Sequence, residues 1–283
     1  MSVSRPVPRH PWISSVLTLG LAAALAACSG GNNQKVASSY PSQAPRAYEP
    51  APSMAAQGHA SIEPREVTPD RPGLGTSWGE AVAAPISFAP FVRAASSPWA
   101  EVLLHYNDVA GVRAHAEYLG MQPEPLELFA GDGALSVALV DDAGRTLPGF
   151  TAGGRTLVLG EDGQRYRIVV KNQTSARFEI VTSVDGLDVI DGNPADPNRR
   201  GYLVDPHGTL AIDGFRTSDD AVAAFRFGRV ADSYAAQTSG DRNVGVVGMA
   251  IFAERGAVWN TRELQRRDAA DPFPQRGYAA PPR

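Results

Sequence analysis

The sequence predicts a mainly β fold, an antiparallel β-sandwich, and three observations carry that reading. First, apolar and polar side chains alternate from about residue 125 onward. Leu135, Val137 and Leu139 fall on one face; Tyr166, Ile168 and Val170 oppose Arg165 and Arg167; Phe178, Ile180 and Val184 oppose Arg177 and Glu179. That period of two belongs to strands with one buried face. Second, "DDAG", "GEDGQ", "KNQTS" and "NPADPN" separate these runs with turn chemistry. Third, "NVGVVGMAIFAE", residues 243–254, is apolar on both faces, as a central strand is. About eight to ten short strands at regular spacing suit a sandwich, and residues 123–254 are a normal length for one such domain.

The elements preceding this domain read in order. Residues 12–27, "WISSVLTLGLAAALAA", follow Arg5 and Arg9 and end in small residues. They fall short of the about 20 apolar residues of a membrane span and read as a secretory signal peptide over residues 1–27. Residues 28–75 are rich in Ser, Pro, Ala, Gly and Gln and read as a disordered tether with an r.m.s. span of about 40 Å. Residues 76–122 read as a transitional segment with a short helical lead-in. Ser97-Pro98 would start one helix, with Val102, Leu103 and Tyr106 near helical spacing. Asn107-Asp108 would break it or cap a second helix from Val109 to Leu119, which stops at Gly120. Residues 255–283, ending "DAADPFPQRGYAAPPR", read as a flexible C-terminal tail.

"LAAC", Leu25 to Cys28, resembles the lipobox of bacterial lipoproteins, and the resemblance covers residues 1–29. It implies cleavage before Cys28 and lipidation of that thiol by a diacylglyceryl group, usually with an N-linked acyl chain such as palmitate. Several chains anchor durably where one is marginal. Ser29 after the cysteine implies, by the enterobacterial pattern, the outer membrane, facing the periplasm or the cell surface. Cys28 is the only cysteine, so an internal disulfide is excluded. Removing residues 1–27 leaves 24 basic against 30 acidic residues, a formal net charge of −6. That balance argues against nucleic acid as a partner.

Several motifs invite a chemical reading. "GTSWG", Gly75 to Gly79, spells the G-x-S-x-G of a nucleophile elbow, but "EVTPDRPGL" before it is no central strand. His59, His105, His115 and His207 lack metal spacing. "PLELFAGDGALSV" has no phosphate-loop lysine and reads as a turn, as does the sequon spelling "NQT" at 172–174. No catalytic residue, cofactor or assigned metal site emerges.

"SVDGLDVIDGNPADPNRRGY", residues 183–202, concentrates the remaining interest. Asp185, Asp188, Asp191, Asn193 and Asp196 are the one calcium-like set, yet the spacing departs from the EF-hand and lacks a closing glutamate. The preferred reading is turns: Asp185-Gly186 as a type I′ hairpin, a short strand over 187–190, and a proline-stiffened loop. Arg199, Arg200 and Tyr202 would then form an exposed ligand loop able to meet a carboxylated glycan or an acidic protein surface. The function expected is a membrane-anchored envelope lipoprotein with a non-catalytic binding or assembly module, its partner an envelope protein or a glycan. The alternative is a hydrolase of envelope polysaccharide or peptidoglycan, with Asp185 and Asp191 as acid and base.

Overall fold

A computed structural model describes residues 34–38 and 71–259. The expected signal peptide over residues 1–27, Cys28, His59 and residues 260–283 lie outside the described residues. The strands are, in chain order, β1 (Gln34–Ala37), β2 (Leu74–Ala83), β3 (Ile86–Ala89) and β4 (Ala100–Asn107), then helix α1 (Val109–Leu119). There follow β5 (Glu124–Pro125), β6 (Leu128–Ala130), β7 (Leu135–Val140), β8 (Pro148–Ala152), β9 (Arg155–Leu159), β10 (Arg165–Asn172), β11 (Phe178–Val184) and β12 (Leu187–Asp188). The chain closes with β13 (Tyr202–Val204), β14 (Thr209–Ile212), β15 (Gly214–Arg216), β16 (Ala221–Arg229), helix α2 (Tyr234–Thr238) and β17 (Val246–Ala253).

The fold is mainly β, two sheets packed face to face. The larger runs β3-β1-β13-β11-β17-β4-β9-β8-β5, with β12 paired to β11. The smaller runs β15-β16-β10-β7-β6, with β14 on β10 and β2 on β16. The pairings are antiparallel except β1 with β3 and β4 with β9. Between the sheets lies one large apolar cluster. Leu104, Val184, Ile180 and Ile251 enter it from the larger sheet, and Leu139, Ile168, Tyr166, Phe225 and Phe227 from the smaller. The central strand expected over 243–254 is β17, flanked by β11 and β4.

Several elements differ from the sequence reading, β3 within the expected lead-in among them. The run 100–107 is strand, not helix: Val102, Leu104 and Tyr106 point inward, while Leu103 is 57% exposed. The "LL" pair gave the run its helical look, but pairing with β17 along six residues enforces a period of two. Residues 74–83, expected as tether and lead-in, form the long strand β2. The second expected helix does form as α1. Asp108 accepts the Gly111 N–H at its start, and Gly120 ends it at φ 67°, a left-handed conformation that favours glycine.

A further difference is β1. Residues 34–37 fall within the expected tether, yet they sit second from the edge of the larger sheet, with Val36 and Ala37 buried. One side chain fastens the strand. Arg216 Nη2 donates to Gln34 Oε1 at 2.8 Å and Nε donates to the Tyr202 hydroxyl at 2.9 Å. Its Nη1 donates to the carbonyls of Ala84 and Ser218 at 2.9 and 3.0 Å. The guanidinium thus joins β1, β13 and the ends of β2 and β15. Truncation leaves part-buried acceptors without a donor, at about 1–3 kcal/mol for such a group. Arg216→Ala is expected to lower stability in urea unfolding by about 2–3 kcal/mol. Hydrogen exchange should speed up in β1 before the rest of the larger sheet.

Candidate functional site

The stretch 183–202 begins with a two-residue hairpin. Val184 pairs with Leu187, and the residues between them, Asp185 and Gly186, have φ values of 55° and 81°. Positive φ at both positions is the signature of the I′ turn. A side chain at Gly186 would also collide with the Asn243 side chain, 2.7 Å from an added Cβ. The Asp185 carboxylate turns inward rather than out to solvent. It accepts from the backbone N–H of Thr76 at 2.7 Å, the N–H of Gly245 at 2.8 Å and the hydroxyl of Tyr106 at 2.5 Å. The Tyr106 hydrogen goes to Asp185, so the Thr76 hydroxyl donates to Tyr106 at 2.7 Å and Tyr166 donates to Thr76 at 2.6 Å. Burial pushes the Asp185 carboxyl up, opposed by its hydrogen bonds, and burial next to that charge pushes both phenols well above their usual value. Tyr106 and Asp185 belong to the larger sheet, Thr76 and Tyr166 to the smaller, so this network crosses the interface between them.

The other polar residues of the stretch are held one by one. Asp188 is buried and accepts from the N–H of Ile190 at 2.7 Å. Asp191 accepts from the N–H of Asn193 at 2.9 Å and is ion-paired with Arg199. Asp196 accepts from the N–H and side-chain amide of Asn198. These are Asx turns. Among the described residues no three His, Cys, Asp or Glu side chains gather as a metal-holding group. The calcium-like set is therefore split between the sheet interface and separate bends. Asp185 and Asp191 do not form an acid–base pair either, since one faces the core and the other a surface arginine.

The expected ligand loop is pinned rather than open. Tyr202 is fully buried on β13, with its hydroxyl held by Arg216. Arg200 lies over the half-exposed ring of Phe88, 5.5 Å from its centroid. The loop is pinned from below by Arg93, whose Nη1 and Nη2 donate to the carbonyls of Pro197 and Arg199 at 2.8 and 2.6 Å. Arg93 Nε meets the buried carboxylate of Glu179 at 2.7 Å, and its guanidinium covers the Phe252 ring at 3.5 Å. Glu179 also accepts from the N–H of Gly201 at 2.8 Å. Arginine holds the loop by four groups at once, which its planar fork allows.

The remaining motifs resolve into structure. Ser77 of "GTSWG" lies inside β2, paired with Arg226, so no sharp strand-to-helix turn exposes it. His105 is on β4, His115 on α1 against Phe150, and His207 in the turn before β14. Asn172 of the sequon spelling is buried and spends its amide on the carbonyls of Ala176 and Asp205.

One exposed aromatic has no signature in the sequence. Trp78, on β2, is 48% exposed, and its ring is backed by the core. It lies nearly parallel to Phe215, with centroids 6.3 Å apart and 7° between planes, and against Tyr234 at 4.7 Å. Phe215 meets Phe225 at 5.1 Å, Phe225 meets Tyr166 at 5.3 Å, and Tyr166 stacks on Phe227 at 4.3 Å. An aromatic ladder therefore runs from the Asp185 network to the surface. A tryptophan in a glycine-rich run gives no periodic signal, and only its pairing with β16 marks it. Comparison with protein-family models, curated protein sequences and solved structures finds no match to this chain.

Asp188 provides a pH test of the stretch. Burial raises its carboxyl to about 6, with the Asp191 charge adding to the rise and the Ile190 N–H opposing it. An unfolded aspartate titrates near 3.8. Folding between these values therefore requires proton uptake. The stabilising contribution is full below pH 3.8 and is lost as the pH rises through 6. Asp188→Asn keeps an acceptor for Ile190 and removes the charge. It is expected to raise stability at pH 8 by roughly 1–3 kcal/mol and to change it little at pH 4, as read from urea midpoints.

Proposed function

We propose that this chain is a bacterial envelope lipoprotein, anchored in the outer membrane through lipidated Cys28. Its β domain is a non-catalytic module that binds or assembles with an envelope protein or a glycan. Trp78 carries the binding reading. It is large, half-exposed and fixed by aromatic rings beneath it, so little side-chain freedom is lost when a partner covers it. Tryptophan is enriched among interface anchors, and its flat face also suits the C–H face of a sugar ring. The hydrolase alternative draws no support from the carboxylates of 183–202, because each is engaged by its own protein partner. Among the described residues no helix is long and apolar enough to cross a membrane. Attachment in this reading rests on the lipid.

Two substitutions test the two halves of the proposal. Cys28→Ala is expected to abolish acylation of the N-terminal peptide, read by mass spectrometry, and to move the protein from the membrane to the soluble envelope fraction. Trp78→Ala removes the anchor while leaving the lipid. A partner recovered by crosslinking from the native host should bind the variant roughly 30-fold more weakly, the equivalent of ~2 kcal/mol. Unchanged recovery at unchanged stability would remove Trp78 from the interface.

A further inference from the structure

The position of β1 bears on how the domain meets the membrane. Between Cys28 and Gln34 there are only five residues, Ser29, Gly30, Gly31, Asn32 and Asn33. Six peptide steps span at most ~20 Å even when fully extended. Gln34 begins a strand built into the sheet: its N–H donates to the Pro85 carbonyl at 3.0 Å, its Oε1 accepts from Arg216, and Val36 beside it is wholly buried. The expected 40 Å spacer therefore does not stand between lipid and domain.

The register shows which end of the domain this short leash draws in. Gln34 pairs with Ile86, Lys35 with Leu203, Phe178 with Val204, and Phe178 with Ala253. These residues form nearly one row at one end of the larger sheet. The turns beyond that row are 84–86, 173–177 and 205–208. The turn 217–220 joins them, since Ala84 N–H donates to Asp220 O at 2.8 Å and Ile86 N–H to Asp219 O at 2.9 Å. At the opposite end stand the Asp185-Gly186 hairpin, helix α2 and residues 239–245.

We infer that the domain sits against the bilayer with the 84–86, 205–208 and 217–220 turns toward the lipid and the Asp185-Gly186 hairpin and α2 directed away. This rests on the lipidation of Cys28 proposed above. It adds an orientation: the membrane-facing end is set by where β1 begins, and the end of the domain that carries α2 is the one left open to a partner. The occupant of the near end is the lipid surface itself, within one extended five-residue segment of the acyl chains.

The test uses the full lipidated protein in vesicles of phosphatidylethanolamine and phosphatidylglycerol with a headgroup-labelled acceptor lipid. Acylated Cys28 is the only native cysteine, so an introduced thiol takes a donor dye uniquely. Asp219→Cys places it at the near end and Gln237→Cys at the far end; both native side chains are exposed. Strands of eight residues such as β17 set the ends at least ~27 Å apart. Energy transfer is expected to be roughly twofold or more higher from position 219 than from 237. Inserting twenty Gly/Ser residues after Gly31 should lower transfer from 219 and erase most of the difference. Equal transfer from both positions, or stronger transfer from 237, on a chain whose mass shows the acyl groups would overturn the orientation and leave the lipoprotein reading standing. Transfer from 219 unaffected by the insertion would overturn the leash as its cause. A chain without acyl mass at Cys28 would overturn both.

Discussion

A buried carboxylate, Asp185, ties the two sheets together across their apolar core. Asp185 stands at the head of a tight turn of the larger sheet and takes its hydrogen bonds from both sheets and from the start of β17. A carboxylate without solvent is costly unless its lone pairs are met. The Thr76 N–H, the Gly245 N–H and the Tyr106 hydroxyl meet them here. These donors hold β2, the loop before β17, and β4 in fixed relation to the hairpin. Hydrophobic burial is non-directional and would tolerate sliding of one sheet over the other. The Asp185, Tyr106, Thr76 and Tyr166 chain is directional, and it selects one alignment. The aromatic ladder that places Trp78 at the surface inherits that alignment through Tyr166.

Turn chemistry was the part of the fold most legible in the sequence. Asp185-Gly186 announced its hairpin because few residue pairs accept two positive φ angles. Asp108 and Gly120 announced the two ends of α1 for similarly local reasons. Legibility failed where tertiary pairing outweighed composition. β2 reads "LGTSWGEAVA", poor in β-branched residues, and is a strand because it pairs with β16 along most of its length. β1 is four residues in a low-complexity run, and its stability comes from partners far along the chain. The candidate site shows the same division. The aspartates of 183–202 were visible as turn formers. That Asp185 points into the core, that Tyr202 is buried and that Arg93 reaches under the loop are facts of packing with no local signature.

Arginine recurs at the points where loops meet the sheets. Arg93 fixes 197–201, Arg216 fixes β1, and Arg177 is ion-paired with Glu254 beside the end of β17. Only two lysines, Lys35 and Lys171, occur in the sequence. Whatever its origin, that composition suits the tasks. A guanidinium serves several carbonyls and a carboxylate at once and still lies flat on an aromatic ring, as Arg93 does on Phe252. An ammonium would leave most of those carbonyls unserved.

The placement of β1 has a consequence for how the molecule reaches its native state. Val36 pairs with Tyr202, so the first strand of the larger sheet cannot close until residues 166 positions later are present. β3 joins that sheet through β1, so it too must wait. Contacts of such sequence separation form late, because the ordering of a long intervening segment precedes any gain. Until then β13 offers an open edge, with its backbone donors and acceptors available to any extended chain nearby. The docking of four residues, QKVA, is what closes that edge. It covers the edge of β13 and leaves only the four residues of β3 outermost on that side of the sheet.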